Sequence, residues 1–508
     1  MTRDYSETNI YIIGAGLAGT MVAREIREKG IFGTVIAFLD DDALKIGKSI
    51  DGVPILGPIR QIARLVRIGP KDEALIAIPS ASPEALREIY SVLKAAGFSR
   101  IRLLPGVAQI LEGQAHLVQA RDINPQDLLG RAPVTINLKK SIAYLRGKRV
   151  LITGAGGSIG SEIARQLLSG GAERIYLFGH GENSIYQIDR ELRLLQEGGV
   201  GEKATIVPVI GELKDREYMR YIIKQLKCDV VFHAAAYKHV PLMEANPVAV
   251  VENNIFGTAN LLDACLEANV KRFVLISTDK AVNPVSIYGA SKMICEHLVI
   301  EAAKKASSKP DSEHNASYMF VRFGNVLGSR GSILPLFIDQ IQKGGPVTVT
   351  DPDMVRFFMT IPEACSLVLK TGGVGVNGES YLLDMGEPVK IYDVAEQLIR
   401  FMGYEPGKDI SISIIGPRPG ERNHEPLWTS NEEPVKTEFP RILKLVEKKK
   451  SDLSDTTELL AALKPYCIYS ASTQNQYREK EGMISTLCAS IPSLLEVTHG
   501  CVRFHSFF

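Results

Sequence analysis

The sequence predicts an α/β fold: two tandem Rossmann-like units, each a doubly wound parallel sheet, with a smaller substrate-binding lobe attached to the second unit. Two observations predict this class. Apolar, strand-like runs alternate with helix-like patterns over most of the chain. In each unit a glycine-rich turn follows the first strand and precedes a helix; the turns are Gly14-Ala-Gly16-Leu-Ala-Gly19 and Gly154-Ala-Gly-Gly157-Ser-Ile-Gly160.

The first unit, residues 1–120, begins with a strand at 9–13 (NIYII), the first glycine turn and a helical pattern. A second strand ends at Asp40, which lies at the distance from the glycines at which a carboxylate meets a ribose hydroxyl. Gly14, Gly16, Gly19 and Asp40 are therefore a candidate second nucleotide site. The alternative is a docking domain that binds nothing. A third strand (ALIAIP) and a helix after Pro83 complete the unit, and residues 121–147 are interpreted as a connector.

The second unit, residues 148–448, starts with a strand at 149–153 (RVLIT), the second glycine turn and a helix. The apolar runs IYLF, TIVPVI, DVVFHAAA and RFVLIS predict four more strands. From about residue 317 the alternation loosens into loops and short elements, as expected for a substrate lobe. Residues 449–508 show little periodicity, and we assign them neither a core nor a function.

Bulk composition limits the classes of function. The 508 residues are 45% hydrophobic and 23% charged with a net charge of +1, which argues against nucleic acid as a partner. No apolar run approaches the ~20 residues of a membrane span, and the N-terminus lacks a signal-peptide pattern. The seven cysteines show no C-x-x-C spacing, so we expect no metal site. We expect a cytoplasmic protein, either free or peripheral to the inner membrane.

The second glycine turn is typical of a site for NAD or NADP. Its residues allow a tight turn and close approach of a pyrophosphate to a helix N-terminus. Glu182 favours NAD if it reaches the ribose, whereas Gly179 and His180 leave room for the 2′-phosphate of NADP; both readings stay open. Glu212 is a candidate partner of the adenine amino group. The other predicted cofactor-binding residues lie in this turn, at the end of the later strand DVVFHAAA, and further along the chain: Gly154, Gly157, Ser158, Ile159, Gly160, Ala234, Ala235, Ala236, Tyr288 and Lys292.

Residues 277–292 (STDKAVNPVSIYGASK) bring together the candidate catalytic groups. Tyr288 and Lys292 are four residues apart and share a face of a helix, so the ammonium is expected to lower the pKa of the phenol. Asp279 and Lys280 add a second acid/base pair after a buried strand. One pair suits a redox step and the other an elimination.

Several basic residues predict that the substrate carries phosphate. Lys238 follows the strand DVVFHAAA, and Arg330, Arg356 and Arg418 fall in the irregular second half of the chain. Because a guanidinium binds phosphate bidentately, these arginines suggest the diphosphate of a nucleotide sugar. Two neighbours in the same motifs, Asn325 and Glu421, complete the predicted substrate set.

Seven motifs together resemble one family. They are TGAGGSIGSE, FHAAAYKHVPLME, STDKAVNPVSIYGASK, RFGNVLGSRGS, FFMTIPEA, LDMGEPVKI and RPGE. The chain resembles, over roughly residues 8–445, the UDP-N-acetylglucosamine 4,6-dehydratases, extended short-chain dehydrogenase/reductases of bacterial polysaccharide biosynthesis. The resemblance implies UDP-N-acetylglucosamine or a related sugar as substrate, a tightly bound and recycled NAD or NADP, and a homo-oligomer.

The resemblance also implies roles for the catalytic residues. Tyr288 would take the proton of the 4-hydroxyl while hydride leaves carbon 4, Lys292 would support the tyrosine and hold the cofactor ribose, and Thr278 would bond to the 4-oxygen. Lys280 would then remove the proton on carbon 5, and Asp279 would protonate the departing 6-hydroxyl. Hydride would return to carbon 6.

Three departures from the family and two rival functions stay open. Large members usually begin with membrane-spanning helices, and many carry Met at the position of Tyr288, so the configuration at carbon 5 is not predicted. RPGE is followed by RNHEPLW rather than by a lysine and an acidic run. The rival functions are a nucleotide-sugar 4-epimerase, which has no use for Asp279 and Lys280, and a non-catalytic NAD(P) sensor.

Overall fold

The computed structural model describes residues 8–29, 33–104, 121–122, 141–200, 204–308, 316–449 and 456–494. The chain divides into two compact units, residues 1–139 with 193–202 and residues 140–192 with 203–508. Both contain mainly parallel sheets flanked by helices, which confirms the predicted α/β class. Most of the predicted connector lies outside the described residues. Within the described ranges, no helix has the length and apolarity required to cross a membrane.

The first unit is built on a seven-stranded sheet. Its strands are β1 (Asn9–Ile13), β2 (Thr34–Leu39), β3 (Ser49–Ile50), β4 (Val53–Leu56), β5 (Asp72–Ile76), β6 (Arg100–Leu103) and β7 (Arg121–Asp122). They lie in the order β3-β4-β2-β1-β5-β6-β7. Its α-helices are Leu17–Lys29, Ile62–Leu65 and Pro83–Ala95. The buried residues Ile12, Val22 and Phe38 join the first helix to the sheet in one core.

The second unit is built on a nine-stranded sheet. Its strands are β8 (Arg149–Thr153), β9 (Arg174–Gly179), β10 (Thr205–Ile210), β11 (Val230–His233), β12 (Arg272–Ile276), β13 (Ser317–Arg322), β18 (Ser380–Leu383), β21 (Glu432–Lys436) and β22 (Ile442–Glu447). Their order is β10-β9-β8-β11-β12-β13-β18-β22-β21, and only the last two strands run antiparallel to their neighbours. The order reverses between β8 and β11, the place where open α/β sheets bind ligands.

Short strands and α-helices complete the second unit. The strands are β14 (Asn325–Leu327), β15 (Val347–Val349), β16 (Val355–Arg356), β17 (Phe358–Thr360), β19 (Val389–Lys390) and β20 (Ile412–Ile414). The helices are Ser158–Leu168, Glu182–Glu197, Arg216–Leu226, Val240–Ala245, Pro247–Val250, Gly257–Glu267, Ile287–Ser307, Ile333–Gln342, Ile361–Val374, Ile391–Phe401, Thr456–Cys467 and Lys480–Ser490. The short strands pair in three two-stranded sheets that belong to the region predicted as the substrate lobe.

The central strands are apolar along their length because helices cover both faces of the sheet. Four of the five residues of Arg149–Thr153 are buried, and so are all six of Ser317–Arg322. The helix Ile287–Ser307 begins where Ser286 caps it, the Ser286 hydroxyl accepting a hydrogen bond from the Gly289 N–H at 3.0 Å. This cap fixes the start of the helix one residue before Tyr288.

The last two helices, to which the sequence analysis assigned no core, pack on the second unit. Leu463 and Leu487 are fully buried and lie in the same core cluster as Tyr288. Arg478 forms an ion pair with Glu252 at 2.9 Å. The apolar pattern of this region is short and interrupted by Pro465 within the first helix, which is why periodicity alone did not reveal it.

Candidate active site

The carboxyl ends of strands β8, β11 and β12 meet at the switch point, and a cleft lies beside the first two of them. Strands β8, β11 and β12 are neighbours, and the glycine turn, residues 234–236 and residues 277–281 follow directly after them. Because parallel strands bring their carboxyl ends to the same edge, these segments meet. The cleft is lined by residues of the glycine turn, of the β9, β10 and β11 ends and of the helical segment beyond: Gly154, Gly156, Gly157, Phe178, Gly179, His180, Gly181, Ser184, Gly211, Glu212, Leu213, Lys214, Ala234, Ala235, Ala236, Tyr237 and Asn253.

The glycine turn is shaped for a dinucleotide. Gly154 has a φ of +68°, and a Cβ there would lie 2.7 Å from the backbone of Ala235. A Cβ at Gly160 would lie 2.3 Å from the carbonyl oxygen of Gly154, so only glycine lets the helix Ser158–Leu168 approach the turn this closely. The turn therefore leaves backbone N–H groups open beside a helix N-terminus, the arrangement that binds a pyrophosphate. The residues present fit NAD or NADP.

The two carboxylates predicted to bind the cofactor differ in position. Glu212 lines the cleft, and its Oε2 lies 3.1 Å from the Lys214 ammonium. Glu182 is the first residue of the helix Glu182–Glu197, is exposed and is not among the residues lining the cleft. The end of strand β9 presents Gly179, His180 and Gly181 to the cleft instead. The choice between NAD and NADP stays open at this position.

Tyr288 and Lys292 lie one helical turn apart in the helix Ile287–Ser307, as predicted. Both are buried, with 7% and 4% of their surfaces exposed. The Lys292 ammonium donates a hydrogen bond to the carbonyl oxygen of Ile276 at 2.8 Å, which ties the helix to the end of strand β12. Burial lowers the pKa of Lys292.

The protonation of Tyr288 differs from the prediction. Burial raises the pKa of its phenol, and the neighbouring Asp279 carboxylate raises this pKa further. The Thr278 hydroxyl, as a hydrogen-bond partner, offsets part of the rise. The sequence predicted that Lys292 would lower the pKa of the phenol. The protein groups around Tyr288 shift it the other way, because a phenolate is costly in a buried site next to a carboxylate.

Asp279 and Lys280 form the predicted acid/base pair at the end of strand β12. Asp279 is fully buried, and its Oδ1 accepts hydrogen bonds from the Lys280 ammonium at 3.0 Å and from the Thr278 hydroxyl at 2.9 Å. Its Oδ2 is buried and has no hydrogen-bond partner among the described residues. A Cβ at Gly324 would lie 3.1 Å from this oxygen, so glycine keeps the carboxylate free of a neighbouring side chain. One oxygen of Asp279 is thus held and the other is left for a further partner.

Two of the predicted substrate residues, Asn325 and Lys238, lie beside this pair, and a third, Arg356, contacts other groups. The Asn325 side-chain oxygen accepts a hydrogen bond from the Lys280 ammonium at 3.2 Å. Lys238 lies 3.4 Å from the Ser329 hydroxyl, and burial together with the charge of Lys280 lowers the pKa of Lys238. Arg356 is buried beside a carboxylate described below.

The other predicted substrate residues lie elsewhere. Arg330 bonds to the glycine turn: its guanidinium donates to the Gly156 carbonyl oxygen at 2.8 Å and its backbone N–H to the Ser158 hydroxyl at 3.0 Å. Arg418 and Glu421 pair with each other at 2.6 Å within one turn, and Arg418 is exposed. Among the described residues, Arg330, Arg356 and Arg418 thus each bond to different partners.

Sequence reasoning missed two residues of the segment after RPGE. Glu425 is 8% exposed, its Oε1 lies 3.9 Å from the Arg356 guanidinium, and its charge acts on Tyr288. Burial, and secondarily the Asp279 carboxylate, raises the pKa of Glu425. Arg422 donates to the carbonyl oxygens of residues 282 and 283, in the loop before the catalytic helix. Their only signal in the sequence was their position directly after RPGE.

The candidate second nucleotide site lies in the first unit. Gly14 has a φ of +104°, and a Cβ at Gly19 would lie 2.1 Å from the Gly14 carbonyl oxygen, so this turn has the predicted close packing. The Asp40 carboxylate accepts hydrogen bonds from the Ala15 N–H at 2.8 Å and from the Lys45 ammonium at 3.1 Å. These bonds lower the pKa of Asp40, although burial opposes them. Asp40 is thus engaged by the protein's own donors, and nucleotide binding here stays a prediction.

Comparisons with known proteins identify the family of this chain. A family model described as "Polysaccharide biosynthesis protein" matches residues 150–447. The probable polysaccharide biosynthesis protein EpsC of Bacillus subtilis (strain 168) is 43% identical over 85% of this chain and 70% of its own length. The UDP-N-acetylglucosamine 4,6-dehydratase (inverting) of Campylobacter jejuni (strain 81-176) is 33% identical over 58% of this chain and 81% of its own.

Relatives with the rival activity are also found. The UDP-glucose 4-epimerase of Rickettsia rickettsii (strain Sheila Smith) is 32% identical over 56% of this chain and 79% of its own length. Both kinds of relative modify nucleotide sugars. The chain therefore belongs to the polysaccharide biosynthesis protein family of nucleotide-sugar-modifying short-chain dehydrogenase/reductases, as its motifs predicted.

Proposed function

We propose that this protein is a NAD(P)-dependent nucleotide-sugar 4,6-dehydratase that acts on UDP-N-acetylglucosamine. One observation carries the proposal: Asp279 and Lys280 form a 3.0 Å pair beside Thr278, and Asp279 acts electrostatically on Tyr288 at the edge of the dinucleotide cleft. Oxidation and re-reduction at carbon 4, which is all that an epimerase performs, need only Thr278, Tyr288 and Lys292. A second acid/base pair is required when water is eliminated across carbons 5 and 6.

Residues of the helix Ile287–Ser307 carry out the oxidation at carbon 4, which is the first half of the reaction. Tyr288 takes the proton of the 4-hydroxyl, and Thr278 hydrogen-bonds to the 4-oxygen. For this transfer the phenol has to be ionised, so the positive charge of Lys292 must outweigh the burial that raises the pKa of Tyr288. The glycine turn at Gly154 and Gly160 would hold a nicotinamide dinucleotide, which would supply a hydride acceptor and donor, so that the net reaction is loss of water.

The residues that follow strand β12 carry out the elimination of water. The 4-ketone acidifies the proton on carbon 5, and Lys280 removes it as a neutral amine. Asp279 protonates the 6-hydroxyl as it departs; its Oδ2 makes no hydrogen bond to the described residues. Lys238 adds a second positive charge close to the Lys280 ammonium.

The direct test is to incubate the purified protein with UDP-N-acetylglucosamine and to measure the mass of the product. A dehydratase gives a product lighter by one water. A product of unchanged mass with a new sugar configuration would identify the protein as a 4-epimerase instead. Proton NMR of the product made in heavy water gives the configuration at carbon 5, since deuterium enters at that carbon.

A variant separates the elimination from the redox step. Lys280→Ala should abolish loss of water but still allow reduction of bound cofactor, which is followed by absorbance at the reduced nicotinamide band. Lys343→Ala, which removes an exposed lysine paired with Asp339 on the helix Ile333–Gln342, is the matched control and should turn over normally. Normal turnover of Lys280→Ala would show that another group is the base.

A further inference from the structure

A five-residue strap, residues 328–332, lies against the glycine turn of the cofactor cleft. Its Arg330 donates to the Gly156 carbonyl oxygen at 2.8 Å through Nη1 and to the Ser158 hydroxyl at 3.0 Å through the backbone N–H. Ser158 is the first residue of the helix Ser158–Leu168. The strap therefore touches the cleft where the helix N-terminus and the turn meet.

The strap is held in this position at both ends. Gly328 and Gly331 have φ values of +69° and +67°, a backbone conformation that other residues rarely adopt. The Ser332 N–H donates to the Ser329 carbonyl oxygen at 2.9 Å, closing a turn around Arg330. A Cβ at Gly331 would lie 2.2 Å from the His239 ring, so the strap packs directly against the residue that follows Lys238.

The chemistry at this point is that of a diphosphate site. The guanidinium has five donors, and among the described residues only those on Nη1 bond to protein. Arg330 is exposed, so its other donors are open to an anion. A helix N-terminus and an arginine fork on the same side of a glycine turn are two independent groups that favour a diphosphate.

Two molecules in the proposed reaction carry a diphosphate, the dinucleotide and the nucleotide sugar. The sequence analysis assigned Arg330 to the sugar. The contacts of Arg330 are to Gly156 and Ser158, residues of the dinucleotide turn, whereas Asn325 at the start of the same segment contacts Lys280. The segment thus meets the catalytic pair at one end and the dinucleotide turn at the other.

We propose that Arg330 binds the diphosphate of the dinucleotide and that the strap retains this cofactor between the two hydride transfers. This inference rests on the proposed function, in which the cofactor ends the cycle as it began and has no need to leave. Retention has a chemical use. If the reduced cofactor were lost after the first transfer, the 4-ketone intermediate would have no hydride donor for the second transfer.

The test measures cofactor retention without turnover. Wild-type protein and the Arg330→Met variant are loaded with NAD or NADP, passed through a desalting column, and assayed for bound nicotinamide. The rate of cofactor dissociation is then measured by displacement with an excess of labelled dinucleotide. Loss of a charged hydrogen bond predicts dissociation about 10- to 100-fold faster in Arg330→Met. Arg330→Lys keeps the charge but loses the fork, and should fall between the two.

Arg400→Met is the matched control, because Arg400 forms an exposed pair with Glu396 on the helix Ile391–Phe401. It should retain cofactor as wild type does. If Arg330→Met and Arg330→Lys both retain cofactor normally and instead raise the KM for the nucleotide sugar, Arg330 serves the substrate diphosphate and the inference is wrong. If the wild-type protein binds neither dinucleotide, the proposed function itself fails, which is a separate outcome.

Discussion

Glu244 should make the stability of the second unit fall as pH rises from about 4.5 to about 7. It lies in the helix Val240–Ala245, and its Oε1 accepts a hydrogen bond from the Ile287 N–H at 2.7 Å, at the start of the helix that carries Tyr288. Burial raises the pKa of this carboxyl to about 7, and the Ile287 hydrogen bond opposes the rise only in part. A partly buried carboxyl with a raised pKa therefore contacts the start of the helix Ile287–Ser307.

The direction of this pH dependence follows from how many protons the folded and unfolded chains bind. Between the ordinary pKa of 4.5 and the folded value of about 7, the folded chain holds a proton that the unfolded chain has lost. Stability from this group is complete below pH 4.5 and is lost as pH rises to about 7. The difference between the two pKa values corresponds to about 3 kcal/mol at most.

Glu244→Gln removes the titration and keeps an oxygen to accept the Ile287 N–H. We expect the free energy of unfolding of the variant, relative to wild type, to increase by up to about 3 kcal/mol between pH 5 and pH 8. Urea denaturation at half-unit steps of pH measures this. Glu387→Gln, at an exposed position, is the control. Its free energy of unfolding relative to wild type should not change with pH. A flat difference for Glu244→Gln as well would mean that Glu244 is already ionised in the fold.

Three further changes test other parts of the structure. Leu463→Ala, in the first of the two C-terminal helices, should lower the free energy of unfolding in urea by about 2–5 kcal/mol, because Leu463 is fully buried. Ile468→Ala is the control and should change this free energy little, because Ile468 is 44% exposed. Equal effects of the two variants would contradict the packing of this region on the core. Glu296→Gln removes one of the two carboxylates that pair with the buried Arg322, the one at 2.7 Å, and leaves Glu432 at 3.0 Å. It should lower the free energy of unfolding by about 1–3 kcal/mol, and an unchanged unfolding midpoint would show that the charge of Glu296 is not needed. Because the pKa of Tyr288 is raised, the single-turnover rate of cofactor reduction should increase with pH above neutral, and a rate that falls with pH would exclude the phenolate as base.

The sequence alone predicted the strands, the glycine turns and the segment that holds the catalytic residues. The strands Asn9–Ile13 and Arg149–Thr153 coincide with predicted apolar runs, because a strand covered on both faces has to be apolar throughout. Glycine turns directly after them predicted the cleft, since only glycine permits the backbone approach that the turn at Gly154 and Gly160 requires. The sixteen residues that hold Asp279, Lys280, Tyr288 and Lys292 likewise placed these groups together, because they span a single strand end and helix start.

Contacts between distant residues were decided only by the tertiary structure. Arg330 and Gly156 are 174 residues apart, and no spacing rule predicts that the arginine of GSRGS meets the glycine turn rather than Arg356. Glu425 became part of the site because the chain returns to Asp279 after RPGE. The pKa of Tyr288 was predicted in the wrong direction for the same reason. A pKa depends on burial and on every charge nearby in space, and the sequence shows only the neighbours along the chain.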